Sequence, residues 1–405
     1  MKPIVRAGRM KPVHSDIRGP LFVEAMKRQK QGIDILKLNT GNPATFGFGL
    51  PDSIKNALME HMQDGVGYCD FKGMPQARQA ICDYETSKGI TGITPDDVFI
   101  GNGVSEVVSF ALTPLLNDGD EVLVPSPSYS LWGNSVYLED GKPVFYTCDE
   151  KANWYPDIQD IRSKITDKTK AIVIINPNNP TGVLYPKEIL LEIIQVAREF
   201  GLLIFADEIY DRLVMDGKQH ISLASLTEDV PVITLNGLSK SHCLCGYRCG
   251  WMVISGPREL TEDYRQGIIQ LTSLRLCANT MAQIVIPAAL DDMETPASMI
   301  RPSGRIYEQR EATVRELEKI DGLSFVKNDA AFYVFPKLDV KKFNITNDKQ
   351  FAHDLLDATN ILLVPGSGFD WKDPDHFRIV MLPQADVLSD AIRRMGTFLD
   401  GYKQK

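Results

Sequence analysis

Lys240 follows the apolar run Val232-Ile-Thr-Leu235 and lies eight residues before Arg248, which has glycines nearby at 246 and 250. Asp207 closes Leu202-Leu-Ile-Phe-Ala206, and Tyr210 comes three residues later. Asn179 sits within Asn176-Pro-Asn-Asn-Pro-Thr-Gly182, directly behind Ala171-Ile-Val-Ile-Ile175. Gly101-Asn-Gly103-Val104-Ser105-Glu106 follows a run ending at Ile100. These groups suit the binding of a charged ligand. A lysine amine can attack a carbonyl. An arginine offers a planar fork to phosphate or carboxylate. A glycine turn feeding a helix N-terminus binds anions through free N–H groups and the helix dipole. Singly, each has a plainer reading: a solvated lysine, an aspartate capping a helix, an Asn-Pro turn. The glycine turn could also be a dinucleotide fingerprint, but Glu106 stands at its third glycine, which favours a cradle for a single phosphate.

The elements around these residues make them a set. Pro51–Gln63 reads as a helix opened by proline, and Asp96–Ile100 as a strand leading through the glycine turn into a helix over Ser105–Leu116. Glu121-Val-Leu-Val124, Val144-Phe-Tyr146, Leu202–Phe205, Val232–Leu235 and Trp251-Met-Val-Ile254 read as strands. Ala171–Ile175 has the look of a strand buried on both faces. In Lys187–Phe200, Ile189, Leu190, Ile193, Ile194 and Ala197 share one helix face, and Gly201 stands where a cap belongs. Such alternation predicts a mostly parallel sheet covered by helices, which binds ligands at the carboxyl ends of its strands. Beyond about residue 300 the texture becomes α+β: a polar helix over Tyr307–Lys319, strands at Phe332–Phe335, Ile361–Val364 and Phe377–Val380, and a terminal helix. The division falls near Pro296–Gly304.

Composition bounds the function. The chain has 405 residues, 43% of them hydrophobic, and a net charge of −9. That balance argues against nucleic-acid and anionic-membrane partners. No apolar run is long enough to span a bilayer, and the first thirty residues show no signal pattern. Their eight Lys and Arg are spread out and read as an arm packing on the rest of the molecule. Seven cysteines in so long a chain fit a reducing, cytoplasmic compartment. Cys243, Cys245 and Cys249 have poor zinc spacing and read as small packing residues, so no metal is expected.

The ordered set Asn176–Gly182, Ala206-Asp-Glu-Ile-Tyr210, Ser239-Lys240 with Arg248, and Phe377-Arg378-Ile379 resembles the class I/II aminotransferases, fold-type-I enzymes dependent on pyridoxal 5′-phosphate. The resemblance covers essentially the whole chain. Asp16-Ile-Arg18-Gly-Pro, Asn39-Thr-Gly-Asn-Pro43, Gly67-Tyr68-Cys-Asp and Ser273-Leu-Arg275-Leu-Cys-Ala-Asn279 resemble the bacterial glutamate–pyruvate (alanine) branch. It implies a large α/β domain with a mostly parallel seven-stranded sheet, over residues 51–300. A small α+β domain spans 301–405, with 1–50 forming an arm and part of that small domain.

The resemblance also implies roles. Lys240 holds the cofactor as a Schiff base and then moves a proton; a lowered lysine pKa in a desolvated, cation-rich site suits this. Asp207 pairs with the pyridinium nitrogen. Tyr210 and Asn179 bond the ring's phenolic oxygen, and Tyr129 stacks on the ring. Gly103, Val104, Ser105, Ser239 and Arg248 take the phosphate, with Tyr68 arriving from the neighbouring subunit of a homodimer that shares its sites. Arg378 grips the substrate α-carboxylate beside Gly41 and Asn179. For a distal carboxylate, Arg18 and Arg275 are the candidates. Two departures stand out. Gly237 replaces a serine common in relatives, and Ser15 replaces a tyrosine often found three residues before the equivalent of Arg18. The Ser126–Pro127 and Asn179–Pro180 bonds are expected to be cis. An aromatic or branched-chain aminotransferase, or an amino-acid lyase, shares the cofactor set. An idle cofactor domain in a regulator lacks its DNA-binding segment here, and a dehydrogenase would leave Lys240 without a role.

Overall fold

Alternate residues of Ala171–Ile175 leave opposite faces of a strand, and both faces are covered. Ala171, Val173 and Ile175 pack with Val107, Val108 and Ala111 of one helix and Ile268 of another, whereas Ile172 and Ile174 pack with Leu190, Ile193, Ile194 and Ala197 of a third. The computed structural model, which describes residues 2–405, builds a central sheet on this plan. Its order is Val98–Asn102, Cys249–Ser255, Val232–Gly237, Leu203–Asp207, Thr169–Ile175, Glu121–Ser126, Lys142–Asp149 and Tyr155–Pro156. The five strands from Val232–Gly237 to Lys142–Asp149 run parallel. Cys249–Ser255 runs against both its neighbours. The sheet therefore has eight strands, not seven, the extra one being the two-residue edge Tyr155–Pro156.

Local chemistry explains most boundaries. Lys187–Phe200 is a helix over its expected range, and Gly201 caps it at φ +65°, its N–H donating to Ala197 O. The strand expected at Asp96–Ile100 begins only at Val98, because Pro95–Asp97 forms a 3-10 turn closed by a capping box on Thr94. The following helix spans Val104–Leu112. No helix follows Asp207; residues 209–212 form turns, so Asp207 is not a helix cap. The helix Arg258–Arg275 escaped prediction because its buried positions, Thr261, Arg265, Ile268 and Thr272, form a mostly polar stripe. Arg265 is paired there with Asp97 at 2.6 Å.

After Gly304 the helix Arg305–Leu317 leads to the strands Tyr333–Val334, Val364–Pro365 and Phe377–Val380, the last forming the middle of a three-stranded sheet. Leu317, Phe351, Leu355, Phe377, Ile379, Leu388, Ile392 and Met395 share a core with Leu38 from the N-terminal segment. Leu36–Lys37 also pairs in parallel with Ile361–Leu362, so both ends of the chain meet. Two X-Pro bonds are cis: Ser126–Pro127, as expected, and Asn176–Pro177 in place of Asn179–Pro180. Among the described residues no single helix is long and apolar enough to cross a membrane.

Candidate active site

The carboxyl ends of the parallel strands open on a cavity of about 850 Å³. Because Cys249–Ser255 is antiparallel, its amino end reaches the same edge, and Arg248 with it. The cavity brings together Lys240, Asp207, Tyr210, Val104, Ser105, Tyr129, Asn179, Ser239 and Arg248 from the sheet, with Arg18, Gly41 and Arg378 from the two ends of the chain. Three expected residues do not line it: Gly103, Tyr68 and Arg275.

Lys240 stands on the short helix Leu238–Ser241 and donates to the Gly41 carbonyl at 2.9 Å. Its pKa does not fall, as the sequence led one to expect. Burial pulls the ammonium down, but the acidic groups of Tyr333, Cys245 and Tyr129 outweigh burial and Arg378, leaving it above the ordinary value. Asp207 is buried, accepting from Trp132 Nε1 at 3.0 Å and from the Ile209 N–H at 3.4 Å. Burial lifts its carboxyl to about 6, against the indole bond. Tyr210 places its hydroxyl 2.9 Å from that of Tyr333, and burial followed by that neighbour pushes its pKa up.

Backbone geometry explains two glycines beside the cavity, Gly103 and Gly237. Gly103, at φ +83°, precedes the helix Val104–Leu112 in a left-handed conformation that favours glycine, and a Cβ there would push against the Arg248 guanidinium. Gly103 thus sets the turn into that helix from outside the cavity. Arg248 is exposed and donates to Cys245 O at 2.9 Å. Gly237 has a similar cause, since a Cβ there would meet Cys249 O at 2.5 Å. The serine common in relatives cannot fit on this backbone.

Arg378 is 1% exposed, donating to Asn179 Oδ1 at 2.9 Å and to the Asn39 carbonyl. Tyr333 and Phe369 flank its guanidinium, each ring centroid 4.6 Å from Cζ. Its Nε has no partner, and among the described residues no carboxylate pairs with it. Burial presses its pKa down. A buried cation with only neutral partners is costly unless an anion joins it.

Arg275 is committed elsewhere. It pairs with Glu106 at 2.5 Å and donates to Phe71 O and Ile100 O, which removes it as a candidate for a distal carboxylate. Arg18 is exposed at the cavity wall, as is Ser15. Their segment is tied down next door. His14 N–H donates to Asn134 Oδ1 at 3.1 Å, Asn134 Nδ2 returns a bond to His14 O at 2.6 Å, and His14 Nε2 lies 3.0 Å from Asp370. Tyr68 is 84% exposed on this single chain. The three thiols near Lys240 have separate neighbours: Cys243 contacts Met299 Sδ, Cys245 donates to Ser239 O, and Cys249 is buried in a strand.

Behind Asp207 lies a buried charged knot. Lys88 Nζ sits 2.6 Å from Glu85, 2.9 Å from Glu208 and 3.3 Å from Asp211. Asn236 and Tyr84 also donate to Asp211, at 2.7 and 2.6 Å. The knot braces both sides of the Asp207–Tyr210 turn.

The profile of the family Aminotransferase class I and II matches residues 33–394. This chain belongs to that family. The glutamate-pyruvate aminotransferase AlaA of Haemophilus influenzae is 49% identical over 404 residues, covering 100% of both chains. An alanine aminotransferase of Mycobacterium tuberculosis is 44% identical over 100% of this chain and 94% of its own. Among solved structures, an aminotransferase from Escherichia coli superposes with a TM-score of 0.98 at 46% identity, covering 100% of both chains. An alanine aminotransferase from Pyrococcus furiosus gives 0.93 at 40% identity, over 98% of this chain and 100% of that one.

Two residues of this aminotransferase's site were missed in the sequence. Trp132 belonged to an unremarkable helix, and its indole N–H, which needs an acceptor once buried, was the only signal. Tyr333 was hidden inside the aromatic strand Phe332–Phe335, where its hydroxyl was the one polar atom. Both reach the cavity groups from elements far away in sequence.

Proposed function

We propose that this aminotransferase moves an amino group between alanine or glutamate and the matching 2-oxo acids, pyruvate and 2-oxoglutarate, using pyridoxal phosphate as its cofactor. The observation that carries the reading is Arg378: a buried, aromatic-flanked guanidinium that, among the described residues, has no carboxylate partner and shares the cavity wall with Lys240. Its unspent N–H groups, Nε among them, suit the α-carboxylate that every amino acid and 2-oxo acid presents. The names and full-length match of the relatives support the choice of alanine and glutamate.

Charge and shape support the cofactor. Asp207, buried with only an indole and a backbone N–H as partners, is a carboxylate that a ring cation would complete. At the other end, the helix N-terminus at Val104 and Ser105 with Arg248 and Ser239 suits a phosphate. Bound there, pyridoxal phosphate supplies an aldehyde that captures amines and a protonated ring that draws electrons from the substrate Cα. Asp207 would hold the ring proton, Tyr210 and Asn179 would bond the phenolic oxygen, and Tyr129 would cover one face of the ring.

Lys240 would attach the cofactor and, once displaced by substrate amine, carry the proton away from Cα. Arg378, Asn179 and Gly41 would hold the carboxylate and fix the direction of the Cα–H bond. Arg18 would meet the distal carboxylate of glutamate, while alanine leaves that place to solvent.

The working form would be a cytoplasmic homodimer with Tyr68 crossing to the other site. The exposed apolar residues Val66, Tyr68, Leu274 and Leu276 support this. Their segments adjoin, with Thr280 Oγ1 donating to Gly65 O at 2.8 Å and Arg275 to Phe71 O at 3.1 Å.

A donor screen tests the reading. Purified protein loaded with pyridoxal phosphate should show the cofactor's visible band, lose it on adding alanine or glutamate, and regain it with pyruvate or 2-oxoglutarate. Rapid bleaching by aromatic or branched-chain donors, without response to alanine, would reassign the substrate. Turnover by Lys240→Ala would remove the mechanism.

A further inference from the structure

Tyr333 is 2% exposed and touches three of the groups assigned above. Its strand pairs with Phe377–Val380 in a register that sets Tyr333 opposite Val380. Arg378, two residues along, is then its diagonal neighbour on the same face, within reach of an aromatic ring. The ring centroid lies 4.6 Å from the Arg378 Cζ, and the hydroxyl lies 2.9 Å from that of Tyr210. The same hydroxyl runs so close over Gly41 that a Cβ there would be 2.3 Å away, and Gly41 is the residue whose carbonyl receives Lys240.

We infer that Tyr333 is a positioning residue of the transfer reaction. Its hydroxyl donates to Tyr210 and turns the proton of that phenol toward the cofactor, while its ring holds the Arg378 guanidinium for the substrate carboxylate. The inference rests on the reading of Lys240, Asp207 and Arg378 given above.

The direction of the hydroxyl bond follows from counting donors. Two phenols can bond in either order, and among the described residues neither has another hydrogen-bond partner. If Tyr210 donated, its proton would be spent on Tyr333 and could not serve the cofactor's phenolic oxygen. With Tyr333 donating, Tyr210 keeps its proton for the cavity and becomes a stronger donor, because chained hydrogen bonds polarise one another. A stronger donor to the phenolic oxygen favours that oxygen's ionised form and lowers the pH at which the visible band titrates. The ring acts separately. A cation held against an aromatic face gains most where water is excluded, and Arg378 is buried between two such faces.

The two halves of the role come apart in two variants of the cofactor-loaded enzyme. Tyr333→Phe removes the hydroxyl and keeps the ring. It should raise the pH midpoint of the visible band by roughly half a unit to one unit, the size of one neutral hydrogen bond. KM for the amino donor should stay within about twofold, since the ring contact remains. Tyr333→Leu removes both. It should show the same midpoint shift and also raise KM, and the Ki of an unreactive carboxylate analogue, by roughly five- to thirtyfold. An unmoved midpoint in Tyr333→Phe, or equal KM in the two variants, overturns the inference. Wild-type protein that takes up no pyridoxal phosphate would instead overturn the reading of the site as a whole.

Discussion

Trp132 donates its indole N–H to Asp207 across 3.0 Å, with both side chains buried. That bond favours the ionised carboxyl, yet burial wins and lifts it from 3.8 to about 6. The folded-state pKa therefore lies above the unfolded one. The aspartate costs nothing below about pH 4, and stability falls as pH rises through 6, where the folded chain must hold a buried charge. In cofactor-free protein, Asp207→Asn should then be more stable than wild type at pH 8, by on the order of 2–3 kcal/mol, with the gain vanishing near pH 4. The same variant should lose cofactor affinity. Urea unfolding across that pH range measures the first effect, and a variant less stable than wild type at pH 8 contradicts it.

Arg378→Ala should raise KM for alanine and for glutamate alike, by roughly a hundredfold or more, because it removes a charge-assisted bidentate pair. The cofactor's visible band should persist, since Arg378 is proposed to hold the substrate and not the cofactor. Initial rates and absorbance spectra on one preparation check both statements.

Arg18→Ala should discriminate between donors. Losing a cation at the solvent-exposed wall should raise KM for glutamate and 2-oxoglutarate about tenfold while sparing alanine. Equal losses for both donors would refute the assignment of Arg18. Arg275→Ala is the control. It strips Glu106 of its partner, so it should lower stability without changing the donor ratio.

Lys88→Met should be among the most destabilising single changes. It leaves Glu85, Glu208 and Asp211 buried without their shared cation, a loss of roughly 3–5 kcal/mol. The deficit should shrink in mild acid, as burial already pushes the Glu85 carboxyl up to about 7. Urea midpoints at pH 5 and pH 8 would show it, and a pH-independent loss would argue for simple loss of packing.

His14 ties the segment carrying Arg18 to the body of the protein. Hydrogen bonds to Asp16 and Asp370 raise its pKa from 6.5 to about 9, against burial. The contribution of that pairing is complete below pH 6.5 and is lost as pH rises through 9. Proteolysis after Arg9 should accordingly speed up between pH 7 and pH 10 in wild type. In His14→Gln the rate should be high already at pH 7 and flat thereafter, once corrected for the protease's own pH dependence.

How much of this could be read in the sequence depended on where each contact comes from. Lys240, Asp207 and Asn179 were visible because each lies at the end of a strongly apolar strand, and strand ends in a parallel sheet share one edge; Arg248 was visible through its spacing from Lys240 and its flanking glycines. The same logic failed for Arg275, whose partner Glu106 lies on a helix that no local pattern relates to it. Glu106 was seen only as a misfit to a glycine motif; in the fold it also accepts from Asn102 N–H at 2.8 Å and closes the turn. Gly237 read as a lost hydroxyl, whereas the neighbouring strand's backbone leaves no room for one. Tyr333 and Trp132 were illegible for a common reason. Their hydrogen-bond partners belong to other elements, and only tertiary packing brings them together.

The cavity wall draws on both ends of the chain, with Gly41 and Arg18 on one side and Tyr333 and Arg378 on the other. The sheet that carries Lys240, Asp207 and Arg248 is complete by Ser255. During synthesis Arg18, Gly41 and the whole central sheet therefore leave the ribosome well before Tyr333 and Arg378. A truncated chain ending before Arg378 lacks the buried guanidinium proposed to grip the α-carboxylate, the one feature common to every amino acid. That grip arrives last, with the strand Phe377–Val380, and full-length synthesis is its condition.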